Sequence, residues 1–332
     1  MKKRFLVIGS NSFSGSHFVD DLINMNIKVL GVSRSEEPRE EFLPYKWNTQ
    51  YLDNFQFEKI DLNIDLDKLI NVINSFEPTH IVNFASQGMV AESWKRPIDW
   101  YQTNVISQVA LHDELRKLSF LQKYVHITTP EVYGDTGKIW IKENFNFSPS
   151  TPYAVSRASC DLHLMSFFKT YKFPVIFTRA ANVYGPGQQL YRIIPRSLLS
   201  AICNKKMNLH GGGISERSFI YIKDVTKATL QLALYGDPGT SWHLSSNEKI
   251  SIKNLVEKIF NIEGKNIDSL VFNTDERLGK DQSYLLDSSK IREVFKWKDS
   301  IKLDTGLKLT MAWIKENLKI LENISWNYSH KS

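Results

Sequence analysis

Short apolar runs alternate with amphipathic stretches over the first half of the chain. The run "FLVI" at Phe5–Ile8 is followed by a stretch that places Phe18, Leu22 and Ile23 at helical spacing. Parallel strands need long crossover connections, so this alternation predicts an α/β fold with a doubly wound parallel sheet. The predicted strands are "FLVI", "KVLGVS", "FQFEKIDL", "THIVNFAS", "KYVHITT" and "PVIFTRAANV", and the predicted helices between them include 65–76, 97–120 and 151–172.

The alternation weakens after residue 184. The segments "GPGQQ" and "HGGGISERS" are rich in turn-forming residues, and the helical patterns at 193–203, 251–260 and 304–321 lack strands at regular spacing. We therefore predict a second, smaller mixed α/β lobe. The sheet domain is predicted to comprise residues 1–181 and 218–236, and the lobe residues 182–217 and 237–332.

Composition and charge exclude several classes of protein. Hydrophobic residues make up 42% and charged residues 23% of 332 residues, as in ordinary globular proteins. The net charge of +6 is spread without a long basic run, which predicts no nucleic-acid partner but suits an anionic small molecule. Cys160 and Cys203 lie far apart, which fits a reducing cytoplasm, and the histidines show no metal-ligand spacing. No signal peptide, membrane helix or metal site is expected.

A glycine-rich turn follows the first predicted strand. Gly9, Ser12 and Gly15 stand at the positions of a G-x-x-G-x-x-G pattern, with Ser12 in place of the middle glycine. Glycines let backbone N–H groups approach a pyrophosphate at the N-terminus of a helix. The pattern predicts a Rossmann-type fold in which the sheet domain binds a dinucleotide.

The end of the second predicted strand bears on the choice of dinucleotide. An acidic residue there favours NAD, whereas this chain has "SRS" at Ser33–Ser35. Arg34 and the two hydroxyls predict recognition of a 2′-phosphate, so NADP is the expected cofactor, with NAD as the alternative. Asp61, at the end of the third strand, is either an adenine ligand or a turn residue.

Tyr153 and Arg157 lie four residues apart in the predicted helix 151–172, and Glu131 follows the fifth strand. Residues at i and i+4 share a helix face, so both side chains are expected to enter one cleft. A fixed cation stabilises phenolate, which would let Tyr153 accept a hydroxyl proton while a hydride leaves the same carbon for nicotinamide.

Together these motifs resemble the extended short-chain dehydrogenase/reductase family, and within it the nucleotide-sugar 4,6-dehydratases and epimerases. The resemblance spans nearly the whole chain, and its motifs occur in the family's order. The stretches that carry it are "GSNSFSGSH", "IVNFASQ", "TTPEVYGD", "TPYAVSRAS", "TRAANVYGPGQ", "ERSFIYIKDV" and "GKDQSYLLDSSKI".

The resemblance implies roles for individual residues. Thr129 matches the hydroxyl that contacts the C4 oxygen of the sugar, Glu131 the carboxylate that removes the C5 proton, and Tyr153 the catalytic base; with Arg157 these are the predicted catalytic residues. The predicted cofactor-binding residues are Gly9, Ser12, Phe13, Ser14, Gly15, Ser33, Arg34, Ser35, Asp61, Leu62, Ala85, Tyr153 and Arg157. The predicted substrate-binding residues are Gln87, Asn182, Arg192, Arg217 and Arg277, of which the last four are expected at the nucleotide diphosphate.

Two residues depart from the family pattern. Arg157 stands where the family has Lys, and its planar guanidinium cannot superpose on an ammonium. Pro130 stands where many 4,6-dehydratases carry an Asp that protonates the leaving C6 hydroxyl. GDP-mannose dehydratases also lack that Asp and keep the Glu, which implies that Glu131 serves both steps.

Glu131 favours an NDP-hexose 4,6-dehydratase, because a 4-epimerase has no use for a base at C5. The 4-epimerase, a UDP-glucuronate decarboxylase and a catalytically impaired NADP(H)-binding protein remain alternatives, and the sequence leaves the nucleotide and the sugar open. The helices 97–120 and 151–172 resemble the pair that forms a four-helix dimer interface in relatives, so a homodimer is expected.

Overall fold

Alternate residues of the first strand lie in two different hydrophobic cores. The computed structural model describes residues 3–47, 50–276, 279 and 281–331. Phe5 and Val7 are buried in one apolar cluster, and Leu6 and Ile8 in another. A strand places successive side chains on opposite faces, so this strand is buried on both sides. The strands are β1 (Arg4–Ile8), β2 (Lys28–Ser33), β3 (Phe55–Lys59), β4 (His80–Asn83), β5 (Lys123–Thr128), β6 (Trp140–Ile141), β7 (Val175–Ala180), β8 (Asn182–Tyr184), β9 (Met207–His210), β10 (Glu216–Arg217), β11 (Phe219–Tyr221), β12 (Ser241–Leu244), β13 (Ile250–Ser251), β14 (Val271–Thr274) and β15 (Leu285–Leu286).

Within the described residues, seven parallel strands form one sheet in the order β12-β7-β5-β4-β1-β2-β3. The strand order reverses between β1 and β4, and such a reversal opens a crevice at the carboxyl ends of the strands. The α-helices are α1 (Phe13–Asn24), α2 (Leu66–Phe76), α3 (Val90–Ser93), α4 (Pro97–Tyr101), α5 (Ser107–Leu115), α6 (Pro152–Tyr171), α7 (Ile193–Cys203), α8 (Ile222–Tyr235), α9 (Ile252–Ile262), α10 (Ser289–Phe295), α11 (Leu303–Glu316) and α12 (Leu318–Leu321).

The predicted long helix at 97–120 is interrupted and shorter. A π-helical turn, Gln102–Ile106, joins α4 to α5, and the helix ends at Leu115. Such turns insert one extra residue into a helix and often occur at functional sites. Short 3₁₀ turns occupy Glu40–Phe42, Pro44–Lys46, Leu52–Asn54, Pro130–Tyr133 and Gly211–Gly213.

The lobe has its own apolar core between α7, α9 and α11, which includes Leu198, Leu255, Ile259 and Leu307. Strand β12, which the sequence assigns to the lobe, instead pairs with β7 at the edge of the central sheet. The four residues of β12 are all buried. So short a strand carries no pattern in the sequence that indicates which sheet it joins. The predicted domain boundary at residue 237 stays a prediction. Ser241–Leu244 belongs to the central sheet and not to the lobe.

No helix within the described ranges is long and apolar enough to cross a bilayer. The same part of the chain holds no cluster of His, Cys, Asp and Glu side chains arranged to bind a metal ion.

Candidate active site

The phosphate loop is shaped by two glycines that leave no room for a side chain. Gly9 has a φ of +81°, and a Cβ there would lie 2.8 Å from the backbone nitrogen of Ala85. A Cβ on Gly15 would meet the carbonyl oxygen of Gly9. Only glycine tolerates both constraints, so β1, α1 and the end of β4 approach one another closely.

Ser12 explains how the loop works without its middle glycine. Its hydroxyl donates to the Gly9 carbonyl at 2.7 Å and accepts from the Gly15 N–H at 3.1 Å, which caps α1. The N–H groups of Phe13 and Ser14 have no hydrogen-bond acceptor among the described residues. An anion at this helix start would meet free N–H donors, so the loop fits the pyrophosphate of a dinucleotide.

Asn11 links this loop to the end of β2, a role that the sequence does not indicate. Its N–H donates to the Ser33 hydroxyl at 3.0 Å, and its side-chain amide donates to the Ser35 carbonyl at 3.1 Å. The two acidic residues that follow this loop are engaged by other side chains. Glu36 forms an ion pair with Lys59 at 3.1 Å. Glu37 forms an ion pair with Lys46 at 2.6 Å and accepts from the Tyr45 hydroxyl at 2.7 Å. The predicted adenosine end therefore has Arg34 and hydroxyls, and neither Glu36 nor Glu37 is turned towards it.

Three further predicted cofactor residues follow the ends of β3 and β4. The Asp61 carboxylate accepts from the N–H of Asn63 at 2.9 Å, which is the turn role that the sequence left open. Leu62 is buried in the core beside β1. The Ala85 N–H donates to the side chain of Asn83 at 2.9 Å, which fixes the backbone at the end of β4.

Thr129, Glu131 and Tyr153 come together at the carboxyl end of β5. Thr129 caps the 3₁₀ turn Pro130–Tyr133 by accepting from the Glu131 N–H at 3.3 Å. Tyr153 is the second residue of α6, whose N-terminus Thr151 caps. Pro130 suits the first position of a helical turn because its φ is fixed and it has no N–H to satisfy. This local geometry accommodates a proline at the position where the sequence resemblance implies an Asp in many 4,6-dehydratases.

Burial raises the pKa of Tyr153, and the negative charge of Glu131 raises it further. The charge of Arg157 and a hydrogen bond with Thr129 lower the pKa, but they do not outweigh burial. Without ligands, therefore, Tyr153 is a neutral phenol whose ionisation is coupled to that of Glu131.

Arg157 does not line the open cleft as the helix spacing predicts. It is 2% exposed, and its Nη2 donates to the Ile127 carbonyl and lies 3.5 Å from Nε2 of His126. Its Nη1 is buried without a hydrogen-bond partner among the described residues. The geometry supports an effect of Arg157 on Tyr153 through charge.

Burial raises the pKa of the half-buried Glu131 to about 7, against 4.5 for an ordinary Glu. The nearby charges of Arg217 and Arg192 lower the pKa, and that of Asp281 raises it. A carboxyl group that titrates near neutrality can both take and give a proton under ordinary conditions.

We expect Glu131→Gln to be more stable than the native protein above pH 7, by up to about 3 kcal/mol of unfolding free energy. The raised pKa means that the folded state penalises the carboxylate, so stability is lost as the pH rises from 4.5 to about 7. Urea unfolding at pH 4.5, 6 and 8 measures the difference, which should vanish at the lowest pH. Glu293→Gln, at an exposed position, is the control. A difference in unfolding free energy between Glu131→Gln and the native protein that stays constant with pH contradicts the prediction.

Two of the predicted diphosphate residues, Arg217 and Arg192, lie close enough to Glu131 for their charges to lower its pKa. Arg217 donates to the carbonyls of Glu216, Gln282 and Asp281 at 2.6–2.9 Å, so its guanidinium is already held in place. The side-chain amide of Asn182 donates to the Ser218 carbonyl at 3.2 Å, while Arg192 is exposed at the start of α7. Arg277 lies outside the described residues, so its predicted role is not placed.

Tyr284 and Asp281 belong to this site although the sequence does not single them out. The Tyr284 hydroxyl donates to the Asn182 side chain at 3.3 Å, and its ring centroid lies 4.0 Å from the Arg217 guanidinium carbon. Asp281 accepts from the Ser150 hydroxyl at 2.7 Å. Both lie in the stretch "GKDQSYLLDSSKI", so the motif located the segment but not its contributing side chains.

Asn104 clamps the loop after β4 to the helix of Tyr153. It lies in the π-helical turn, is fully buried, and exchanges two hydrogen bonds with the backbone of Gln87 at 2.8 and 3.1 Å. Its amide also donates to Ser156 at 3.0 Å, and Ser156 donates to the Tyr153 carbonyl at 2.7 Å. The side-chain amide of Gln87 itself donates to the carbonyl of Lys331.

A sequence model of the family described as GDP-mannose 4,6 dehydratase matches residues 6–310 of this chain. A human dTDP-D-glucose 4,6-dehydratase is 28% identical over 331 residues, which cover 97% of this chain and 93% of the human protein. An Arabidopsis thaliana protein named trifunctional UDP-glucose 4,6-dehydratase/UDP-4-keto-6-deoxy-D-glucose 3,5-epimerase/UDP-4-keto-L-rhamnose-reductase is 28% identical over 327 residues. The match covers 95% of this chain, which spans only 47% of the plant protein's length.

Solved structures agree with these relatives. The dTDP-glucose 4,6-dehydratase of Streptomyces venezuelae, solved with NAD bound, superposes with a TM-score of 0.88 at 25% identity, covering 95% of this chain and 98% of that one. The UDP-glucose 4-epimerase of Thermotoga maritima, solved with UDP-glucose, gives 0.86 at 25% identity, covering 95% and 99%. The predicted fold and the predicted enzyme class are confirmed. The chain therefore belongs to the GDP-mannose 4,6 dehydratase family, within the extended short-chain dehydrogenases/reductases that include nucleotide-sugar dehydratases and epimerases.

Proposed function

We propose that this protein is an NDP-hexose 4,6-dehydratase that uses NADP. The observation that carries the proposal is the carboxyl group of Glu131, which titrates near pH 7 beside Thr129 and Tyr153 at the carboxyl end of β5. A hydride-transfer enzyme that only inverts C4 needs the tyrosine and no second base. A second base with a pKa near neutrality suits the removal of a carbon-bound proton after C4 has been oxidised.

Oxidation at C4 uses Tyr153 and Thr129. Tyr153 accepts the proton of the C4 hydroxyl, and Thr129 donates a hydrogen bond to the same oxygen. A bound nicotinamide would supply the acceptor for the C4 hydride and the donor that returns it to C6. Ionisation of Tyr153 is easier when Glu131 is uncharged, because the charge of Glu131 raises the pKa of Tyr153. Protonation of Glu131 therefore lowers the cost of phenolate formation, and Glu131 must release that proton to solvent before it can act as the base at C5.

Elimination uses Glu131 for both proton transfers. The ketone at C4 makes the C5 hydrogen acidic, and the Glu131 carboxylate takes that proton. The C6–O bond then breaks, and the proton on Glu131 leaves with the oxygen as water. Pro130 has no proton to give, so the proposal assigns both roles to one carboxyl group. Return of the hydride to C6 and of a solvent proton to C5 completes a 4-keto-6-deoxy sugar.

The nucleotide diphosphate is proposed to lie near Arg217, Arg192 and Asn182. Two cations on the lobe side of Glu131 suit two phosphate groups. Arg217 already uses its η nitrogens on backbone carbonyls, so we assign it mainly a charge effect and assign direct contact to the exposed Arg192. The proposed role of Arg277 rests on the sequence motif alone.

The proposed preference for NADP over NAD rests on the residues at the end of β2. Arg34 lies between two serines, and Glu36 and Glu37 are engaged by Lys59 and Lys46 rather than turned to a ribose. A ribose 2′-hydroxyl is usually held by a carboxylate, whereas a 2′-phosphate needs cations and hydroxyls. The dTDP-glucose 4,6-dehydratase of S. venezuelae and other solved relatives were crystallised with NAD, so NAD is the competing cofactor.

Incubation with GDP-, UDP-, dTDP- and CDP-hexoses, each with NADP⁺ or NAD⁺, tests the proposal. A product lighter by one water, with solvent deuterium at C5 when the reaction runs in D₂O, is the expected result. An isomer of unchanged mass without deuterium would make the protein a 4-epimerase, which the superposition on the T. maritima epimerase keeps as the second candidate. No turnover with any sugar despite cofactor binding would overturn the catalytic proposal.

A homodimer is proposed through the outer face of α4, the π-helical turn and α6. Ile98, Ile106, Leu162 and Tyr171 are exposed there, by 50–66%, although they are large and apolar. Helices α4 and α6 pack side by side, so two copies would bring four helices together.

We expect the double variant Ile106→Glu, Leu162→Glu to raise the dimer dissociation constant at least about a hundredfold, because two unpaired charges would be buried at the interface. Light scattering after size-exclusion chromatography measures the mass. The equally exposed Val294→Glu on α10 is the control and should stay dimeric. A native protein that is monomeric at micromolar concentration contradicts the interface.

A further inference from the structure

The segment Tyr328–Lys331 crosses from the lobe to the dinucleotide domain. Tyr328 packs edge-on against Tyr191, with the ring centroids 5.3 Å apart. The next contacts are on the sheet domain: the His330 ring stacks on Trp100 at 5.0 Å, and its Nε2 lies 2.7 Å from the Asp99 carboxylate. The segment therefore bridges the two sides of the cleft.

The backbone at the end of this bridge is held by a buried side chain. The Gln87 amide, 3% exposed, donates to the Lys331 carbonyl at 2.7 Å. With His330 fixed on Asp99 and Trp100, these contacts determine where the side chain of Lys331 emerges. Its ammonium donates to the Ser35 hydroxyl at 3.1 Å.

Lys331 thereby adds a second cation to the end of β2. Ser35 follows Arg34 directly, and Arg34 is close enough for its charge to act on Tyr328. Arg34 lies in this hydroxyl-bearing loop and Lys331 contacts it from the end of the chain, with no acid at Ser33–Ser35. This loop is the one expected to meet the adenosine ribose of the cofactor.

We propose that Lys331 is a specificity-determining residue that recognises the 2′-phosphate of the cofactor, and that the segment Tyr328–Lys331 positions it. The inference rests on the proposed NADP preference. A 2′-phosphate carries close to two negative charges at neutral pH, and an ammonium 3 Å from a loop hydroxyl can shift by one hydrogen bond to meet it. A ribose 2′-hydroxyl offers no charge, so NAD gains nothing from Lys331.

The test compares NADPH and NADH binding to the native protein, Lys331→Gln and Lys331→Arg by nicotinamide fluorescence. We expect Lys331→Gln to raise the dissociation constant of NADPH about five- to tenfold and to leave that of NADH within about twofold, while Lys331→Arg stays near native. The non-redox pair 2′,5′-ADP and 5′-AMP, measured by calorimetry, should show the same difference. The advantage for the phosphorylated ligand should also shrink with added salt in the native protein.

Equal effects of Lys331→Gln on NADPH and NADH, or no effect on either, would overturn the inference. Removal of residues 328–332 provides a second route, and it should abolish the same selectivity. A native protein that prefers NADH, with Lys331→Gln still weakening only NADPH, would overturn the NADP preference and support the role of Lys331. These measurements need no sugar turnover, so they are independent of the dehydratase assignment.

Discussion

Replacement of Glu131 by glutamine is expected to lower the rate of water loss by about 10³-fold, because positioned proton transfer contributes 10²–10⁴ to enzymatic rates. Glutamine keeps the size of the side chain and cannot take the C5 proton. Oxidation at C4 depends on Tyr153 instead, so it should continue. The variant should therefore accumulate reduced cofactor with a 4-keto hexose that retains its C6 hydroxyl.

Absorbance of reduced nicotinamide and mass spectrometry of the sugar separate the two steps in that variant. Glu293→Gln, an exposed substitution of the same type on α10, should leave both steps at native rates. Full dehydration by Glu131→Gln would remove Glu131 from its proposed role, and the C5 base would have to be sought elsewhere in the cleft.

Replacement of Tyr153 by phenylalanine is expected to lower both C4 oxidation and dehydration by about 10³-fold. The ring that packs at the start of α6 stays, but the C4 hydroxyl loses its proton acceptor. Because the substitution removes only the hydroxyl, the fold should be intact.

Single-turnover reduction of the cofactor and circular dichroism measure these effects for Tyr153→Phe. Tyr235→Phe, at the exposed end of α8, is the matched control. Native rates in Tyr153→Phe would show that another group takes the C4 proton, and they would remove the central base from the mechanism.

Local patterns in the sequence predict the central sheet and the strand ends well. Burial of β1 on both faces follows from its continuous apolar run, and the extent of α1 follows from the helical spacing of its apolar residues. Thr129, Glu131 and Tyr153 lie together because the carboxyl ends of parallel strands share one edge, which the order of elements already implies. The sequence leaves two roles open for Asp61, adenine ligand or turn residue. The turn role was possible because a carboxylate that accepts from the N–H two residues later forms an Asx turn.

Contacts between distant segments could not be predicted in this way. Helical spacing placed Tyr153 and Arg157 on one face, but it could not show that the longer guanidinium turns to the Ile127 carbonyl and His126. It also could not show that burial and Glu131 would raise the pKa of Tyr153 above its ordinary value. Tyr284 reaches Asn182 from 102 residues away, and no local period records such a pairing.

The clamp formed by Asn104 bears on attempts to redesign this protein for other sugars. A substitution that shifts the backbone of Gln87 would pull on Asn104 and, through Ser156, on the backbone that carries Tyr153, so it is expected to lower the catalytic rate. Mutational libraries aimed at new substrates should therefore leave the backbone of the loop after β4 unchanged and should also keep Arg192, whose charge lowers the pKa of both Glu131 and Tyr153.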